Sequence, residues 1–375
     1  MKIAGIEAVK TTEGEAALWV PKASLSDPHH CEVFYNPAMA FSRTVGSIAF
    51  EALASGLPKR PKALDGLCAT GARGVRYCIE SGVDAQITFC DANPKAMAFA
   101  ERNAKANKIT SAKFSCRDFF IETAENRHFD FVELDPFGTP AVFLDAAVRA
   151  CGKKAVLSAT ATDLANLCGA RPKACVREYD ARPVRGYFCH EAALRVLVGR
   201  IARTAALHEK AFSPALSYYE GHHVKTVGVL ESGAAGADRA IANVGILGFC
   251  KKCFGFYKGK PACESCGLKN ETAGPLWLGK LGEEKTILKM GRIAQEREDG
   301  RAAGFMALLA GENGFGPGFL DPHEICKAHK KPVGRKMGET IARLRKAGFP
   351  SVRTHFSPTG IKTTACAGEV LDSSS

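Results

Sequence analysis

The sequence contains no apolar run approaching the roughly 18 residues that a membrane helix needs, and no charged-then-apolar leader at its start. Both absences argue against a spanning or exported protein, so a cytoplasmic one with no membrane partner is expected. No internal repeat is visible, which excludes a solenoid or repeat array. Disulfide-scaffold spacing is also missing. Fifteen cysteines are present, yet most are scattered singly through apparent strands and helices, as buried thiols of a reducing cytosol are. The turn after the first strand of the α/β region lacks a third glycine: Gly71 and Gly74 are there, but Ala69 stands where a G-x-G-x-x-G fingerprint wants another.

What is present is length for two domains and a divided charge. Residues 1–150 carry 17 Lys+Arg against 18 Asp+Glu, whereas the remainder supplies the whole net charge of +12. A neutral first part followed by a basic remainder suits a catalytic core joined to a polyanion-binding surface. The small, polar stretch Glu231–Asp238 is expected to be the linker, giving domains at 1–235 and 236–375.

Strand and helix patterns alternate from Lys62 onward. Strands are predicted at Lys62–Leu67, Gln86–Cys90, Lys113–Cys116, near Phe131–Leu134 and at Ala155–Ala159, with helices between them. That alternation predicts a mostly parallel sheet covered by helices, a Rossmann-like α/β fold. Ahead of it, residues 1–35 read as a short antiparallel piece turning near Asp27-Pro28. A helix is predicted near 39–56 and another near 188–207. Residues 321–375 read helix, helix, strand, strand, the order of a winged helix.

The stretch Phe129–Pro140 holds the most chemistry. An apolar strand stops at Asp135-Pro136-Phe137-Gly138, so a carboxylate, a backbone carbonyl and an aromatic ring are presented together at a strand's carboxyl end. In open α/β sheets ligands bind at that edge. Asp135 and the Pro136 carbonyl can accept hydrogen bonds from an exocyclic amine, and Phe137 can stack on a flat ring. Acids also follow the earlier strands: Asp65, Asp91 and Asp118. Class I methyltransferases place carboxylates in this way around S-adenosylmethionine, on the ribose hydroxyls after the second strand and the adenine amine after the third. That cofactor carries no phosphate, so it needs no tight phosphate loop, and the acidic series favours a methyltransferase over a dehydrogenase.

Cys250-x2-Cys253 and Cys263-x2-Cys266 are two knuckle-spaced pairs, the donor set of a closed, structural zinc site. Lysines interleave with Phe254, Phe256 and Tyr257 there, which suits either a nucleic-acid backbone or a small core. His190-Glu191, on a helix with three arginines, reads as structural.

In this order these motifs resemble the tRNA (guanine-26-N2)-dimethyltransferases of archaea and eukaryotes. The resemblance runs over nearly the whole chain, through Val33–Pro37, the loop at 65–76, Asp135–Pro140, Leu167–Pro172, Cys189–Glu191, the four cysteines, Gly274–Trp277 and Thr354–Lys362. It implies two successive methylations of N2 of one guanosine, at the junction of the D and anticodon stems of tRNA. By matching motifs, Arg43, Arg73, Asp91, Asp118 and Phe119 would bind S-adenosylmethionine and Asp135 would be the catalytic carboxylate. Phe34 and Phe137 would sandwich the extruded guanine beside Pro136. The basic C-terminal domain would grip tRNA, and no obligate protein partner is implied. One departure stands out: the family usually has Asn-Arg-Asp where this chain has Ser42-Arg43-Thr44, which removes the carboxylate beside Arg43. Two rivals remain, an amino-methyltransferase acting on another RNA or on DNA and a catalytically silent RNA-binding protein of the same fold. The intact Asp91, Asp118 and Asp135 argue against the second.

Overall fold

A computed structural model describes residues 1–374. It contains two compact units, each made of several chain segments. The first comprises Met1–Thr160, Val227–Ser232 and Lys289–Ala303; the second comprises Ala161–Thr226, Gly233–Leu288 and Gly304 to the C-terminus. The chain therefore passes between units several times.

The first unit begins with β1 (Lys2–Ile3), β2 (Ile6–Glu13) and β3 (Ala16–Pro21), an antiparallel sheet. Its hairpin closes at Gly14-Glu15, where Gly14 takes φ +55°, and not at Asp27-Pro28 as expected. Trp19 and Val20 pair backward with Lys10 and Val9, so the apolar run at 32–34 is left out of the sheet.

Helix α1 (Ala40–Ala54) follows a turn that Asn36 caps, and then β4 (Lys62–Gly66), α2 (Ala72–Glu80), β5 (Gln86–Cys90) and α3 (Pro94–Ala106) alternate. Asn93 starts α3 by accepting the Lys95 N–H, with Pro94 preset for the first turn. Two asparagines, one on α3 and one just past its end, then behave as an extra strand beside β3. The buried Asn103 accepts the Trp19 N–H and donates to the Trp19 carbonyl, and Asn107 does the same for Ala17. β6 (Lys113–Ser115), α4 (Phe119–Glu125), β7 (Phe129–Leu134), α5 (Leu144–Ala150) and β8 (Cys151–Ala161) complete the alternation.

Beyond them lie α6 (Leu164–Leu167), α7 (Pro172–Tyr179), α8 (Cys189–Ala206), β9 (Lys210–Glu220) and β10 (His223–Ser232). Seven strands form one sheet in the order β6-β5-β4-β7-β8-β10-β9, and the four pairings from β6 through β8 are parallel. The crossover order places the carboxyl ends of β4 and β7 side by side, where a doubly wound sheet binds its ligand.

The expected linker is structured. Glu231 and Ser232 finish β10, and Ala234–Ile241 is helix α9. Its alanines are strong helix formers, and Ala237 and Ala240 are buried. The second unit continues with β11 (Val244–Phe249), β12 (Phe256–Lys258) and β13 (Glu271–Trp277), a small antiparallel sheet around the cysteines. Two helices follow, α10 (Glu284–Glu296) and α11 (Gly300–Glu312). The tail runs α12 (Pro322–Ala328), α13 (Met337–Lys346), β14 (Ser351–Arg353) and β15 (Ile361–Thr363), the expected element order, and closes with an unexpected helix α14 (Ala367–Ser374). β14 and β15 pair antiparallel as a two-stranded sheet.

Candidate active site and zinc module

The turn after β4 is latched by acids. Asp65, buried at the end of β4, accepts the Gly74 N–H at 2.9 Å at the start of α2. Asp91, just past β5, accepts the Ala69 N–H with one oxygen and the Asn93 N–H with the other, both at 2.9 Å. The loop between them is strained: Leu67, Ala69 and Gly71 all take positive φ, and only the last is glycine. Such strain clusters at ligand sites. Gly66 is required for a different reason, since a Cβ there would sit 2.6 Å from the ring of Phe119. Phe119 itself is buried at the start of α4, while Asp118 caps that helix on the Phe120 N–H and stays exposed.

Asp91 and Asp118 therefore stand at the ends of neighbouring strands with acceptor oxygens and no phosphate-binding loop between them. Those acceptors fit a ligand carrying sugar hydroxyls and an adenine amine but no phosphate, which is the chemistry of S-adenosylmethionine.

Arg73 reaches from α2 to the end of β7. Its Nη2 donates to Asp135 at 2.5 Å, its Nε lies 3.6 Å from Glu133, and its Nη1 donates to the Ser42 carbonyl. Glu133 is fully buried and accepts the Tyr77 hydroxyl at 2.7 Å. Asp135 thus lies in a line of buried charge rather than on an isolated strand end. The signal for Glu133 was available, since a glutamate inside an otherwise apolar strand needs a partner. The partner, 60 residues away in α2, was not.

Burial, with Glu133 behind it, pushes Asp65 up to about 7 against the pull of Arg73 and the Gly74 amide. The folded chain keeps a proton there that the unfolded chain releases near 3.8. The stability this proton contributes is complete below that lower value and is lost as pH rises toward 7. Asp65→Asn should therefore gain stability relative to the parent between pH 5 and pH 8. Paired denaturant melts at the two pH values measure this; a constant difference would contradict the assignment.

Arg43 has its carboxylate after all. In place of the missing neighbour, Glu13 at the end of β2 takes both the Nε and Nη2 of Arg43, at 2.6 and 2.5 Å. Glu13 also accepts Arg76 at 3.0 Å and the Tyr35 hydroxyl at 2.8 Å, and Thr44 accepts Arg76 at 2.8 Å. Burial pushes the Glu13 carboxyl up, but hydrogen bonding and charge from Arg43, then Arg76, hold it below its usual range.

Phe34 and Phe137 do meet, edge to face, with centroids 4.2 Å apart. That contact leaves no slot for a planar base. Phe137 is 63% exposed on a turn where Gly138 takes φ +75°, while the adjacent Pro136 is buried.

In the second unit the four predicted cysteines converge. Their sulfurs all lie within 4.8 Å of one another, and Cys250 Sγ accepts the Cys253 N–H as a metal knuckle requires. Four thiols in this arrangement fit tetrahedral zinc with no open position. The neighbouring rings are the module's core: Phe254 is buried against Phe249, and Phe256 packs on Phe188 and Phe249. Lys251 pairs with Glu271 and Lys260 with Glu264. Glu191 is structural as expected. Burial works against its charge, but Lys362 and Arg195 hold the carboxyl below its usual range.

A Rossmann-like sheet with acids at successive strand ends and Asp-Pro-Phe-Gly on the fourth strand to leave the chain defines a class I S-adenosylmethionine-dependent methyltransferase fold. The family model described as N2,N2-dimethylguanosine tRNA methyltransferase matches residues 14–374, and the chain belongs to that family. It is 35% identical to a tRNA (guanine(26)-N(2))-dimethyltransferase of Methanothermobacter thermautotrophicus, over 96% of this chain and 97% of that one. A tRNA (guanine(26)-N(2)/guanine(27)-N(2))-dimethyltransferase of Aquifex aeolicus is 32% identical over 96% and 94%. The structure of Trm1 from Pyrococcus horikoshii with S-adenosyl-L-methionine superposes with a TM-score of 0.85 at 33% identity, covering 97% of this chain and 99% of that one.

Proposed function

We propose that this protein transfers methyl groups from S-adenosylmethionine to the exocyclic N2 of guanosine 26 of tRNA, twice in succession. The observation that carries the reading is Asp135, a carboxylate with a guanidinium partner, followed by Pro136 and an exposed aromatic at the ligand edge of the sheet. The cofactor supplies an electrophilic methyl on a sulfonium. Everything else falls to the chain. An aromatic amine of guanine is a poor nucleophile because its lone pair is delocalised into the ring. Asp135 and the Pro136 carbonyl accept its two N–H bonds and turn the lone pair toward the methyl, and Asp135 is placed to receive the proton released. Arg73 holds Asp135 in that orientation. Phe137 swings from Phe34 so that the two rings bracket the extruded base. Asp91 and Asp118 would hold the cofactor's ribose and adenine, and Phe119, Arg43 and Arg73 are the further residues that the matching motifs assign to it.

Radiolabelled methyl incorporation into an unmodified tRNA transcript, compared with one carrying adenosine at position 26, tests the assignment. Incorporation only into the first supports it; equal incorporation overturns it. The net charge of +12 predicts that tRNA affinity falls at least tenfold between 50 and 200 mM salt. A flat salt response would remove the polyanion argument.

A further inference from the structure

Two motifs that methyl transfer leaves unused meet in the second unit. Helix α6 ends at Cys168, and Gly169, at φ +83°, turns the chain so close to Val184 that a Cβ there would lie 3.1 Å from its backbone. Helix α8 begins at Cys189 and packs on α6 and α7. As a result the sulfurs of Cys168 and Cys189 and a ring nitrogen of His190 all lie within 4.8 Å of one another, on three half-buried side chains. The His190 ring is stacked on Tyr219 with centroids 4.0 Å apart and planes 8° from parallel, which fixes its orientation. The next residue, Glu191, turns to the interior to pair with Arg195 and Lys362. One helical turn thus divides its side chains between a buried ion pair and a cluster of soft donors.

We propose that Cys168, Cys189 and His190 form a second zinc site, separate from the four-cysteine module, with one position open to water or another small ligand. Two thiolates and an imidazole are the borderline-soft donors that zinc selects. Tetrahedral bonds of about 2.3 Å to sulfur put two coordinated sulfurs about 3.8 Å apart, inside the observed spacing. Among the described residues no fourth cysteine, histidine or carboxylate joins the cluster. Three protein ligands characterise zinc sites that exchange their fourth ligand, whereas the four-cysteine set is closed.

The test is zinc stoichiometry of the full-length chain, freshly purified and then titrated with zinc, by elemental mass spectrometry. The proposal predicts two zinc ions per chain, one of which exchanges faster with a colorimetric chelator. Cys168→Ser and His190→Ala should each bind one, with the circular-dichroism spectrum of the parent. If a variant fails to fold, the parent stoichiometry decides: two supports the site and one overturns it. Retention of two zinc ions by folded variants overturns it as well. So does a Cys168–Cys189 disulfide in alkylated, denatured protein, because the pair would then be a redox couple.

Discussion

Asp135→Ala should lower kcat for methyl transfer at least a thousandfold while tRNA and S-adenosylmethionine binding stay within about threefold of the parent. The size follows from the role: one carboxylate both orients the amine and receives its proton, and loss of a positioned acid–base group alone costs about 10²–10⁴. Asp135→Asn separates the two contributions. Its amide oxygen can still accept an N–H bond, so part of the orientation survives, but it cannot take a proton. Turnover for the asparagine variant should fall between alanine and parent. Because Arg73 keeps Glu133 as a partner when Asp135 is removed, the fold should survive and the lost rate can be read as chemistry. Turnover of Asp135→Ala within tenfold of the parent would remove Asp135 from the mechanism.

The second large effect lies far along the chain from that site. Lys362, buried in β15, donates to Glu191 at 2.7 Å and to the carbonyls of Gly316 and Gly318 at 3.0 and 2.8 Å. Lys362→Met leaves the Glu191 carboxylate with Arg195 and the Gly318 N–H but without its lysine, and leaves two carbonyls without that donor. Breaking a buried pair from one side costs about 3–5 kcal/mol, so urea unfolding of Lys362→Met should show a loss of that order. Adding Glu191→Gln should recover part of it, because the stranded charge is then gone. A loss below about 1 kcal/mol would mean that water reaches the pair.

This pair also shows what was legible in the sequence and what was not. Cys189–Glu191 and Thr354–Lys362 stood out as separate motifs; the reason that both carry charged residues, one ion pair across 171 positions, appears only in three dimensions. The α/β alternation, the acids at strand ends and the cysteine knuckles were legible because each is a local pattern with a local cause. Long-range partners were hidden. Nothing beside Arg43 indicates that Glu13 would replace its missing carboxylate, and nothing near Trp19 indicates that Asn103 would serve as its strand neighbour. The Glu231–Asp238 stretch was misread because small residues describe a linker and a short alanine-rich helix equally well until burial decides. The Cys168–Cys189–His190 cluster was invisible for a related reason: its donors lie 21 residues apart in chain order, outside any metal spacing rule, and only the packing of α6 on α8 joins them.

The most direct test of the central claim is the identity of the product nucleoside. Purified protein, S-adenosylmethionine and an unmodified tRNA transcript are incubated, the RNA is digested to nucleosides, and methylated species are resolved by mass spectrometry over time. The account predicts N2-methylguanosine appearing first and N2,N2-dimethylguanosine replacing it. Methylation of a ring nitrogen, or of a base other than guanine, would contradict the role assigned to Asp135 and Pro136 at an exocyclic amine.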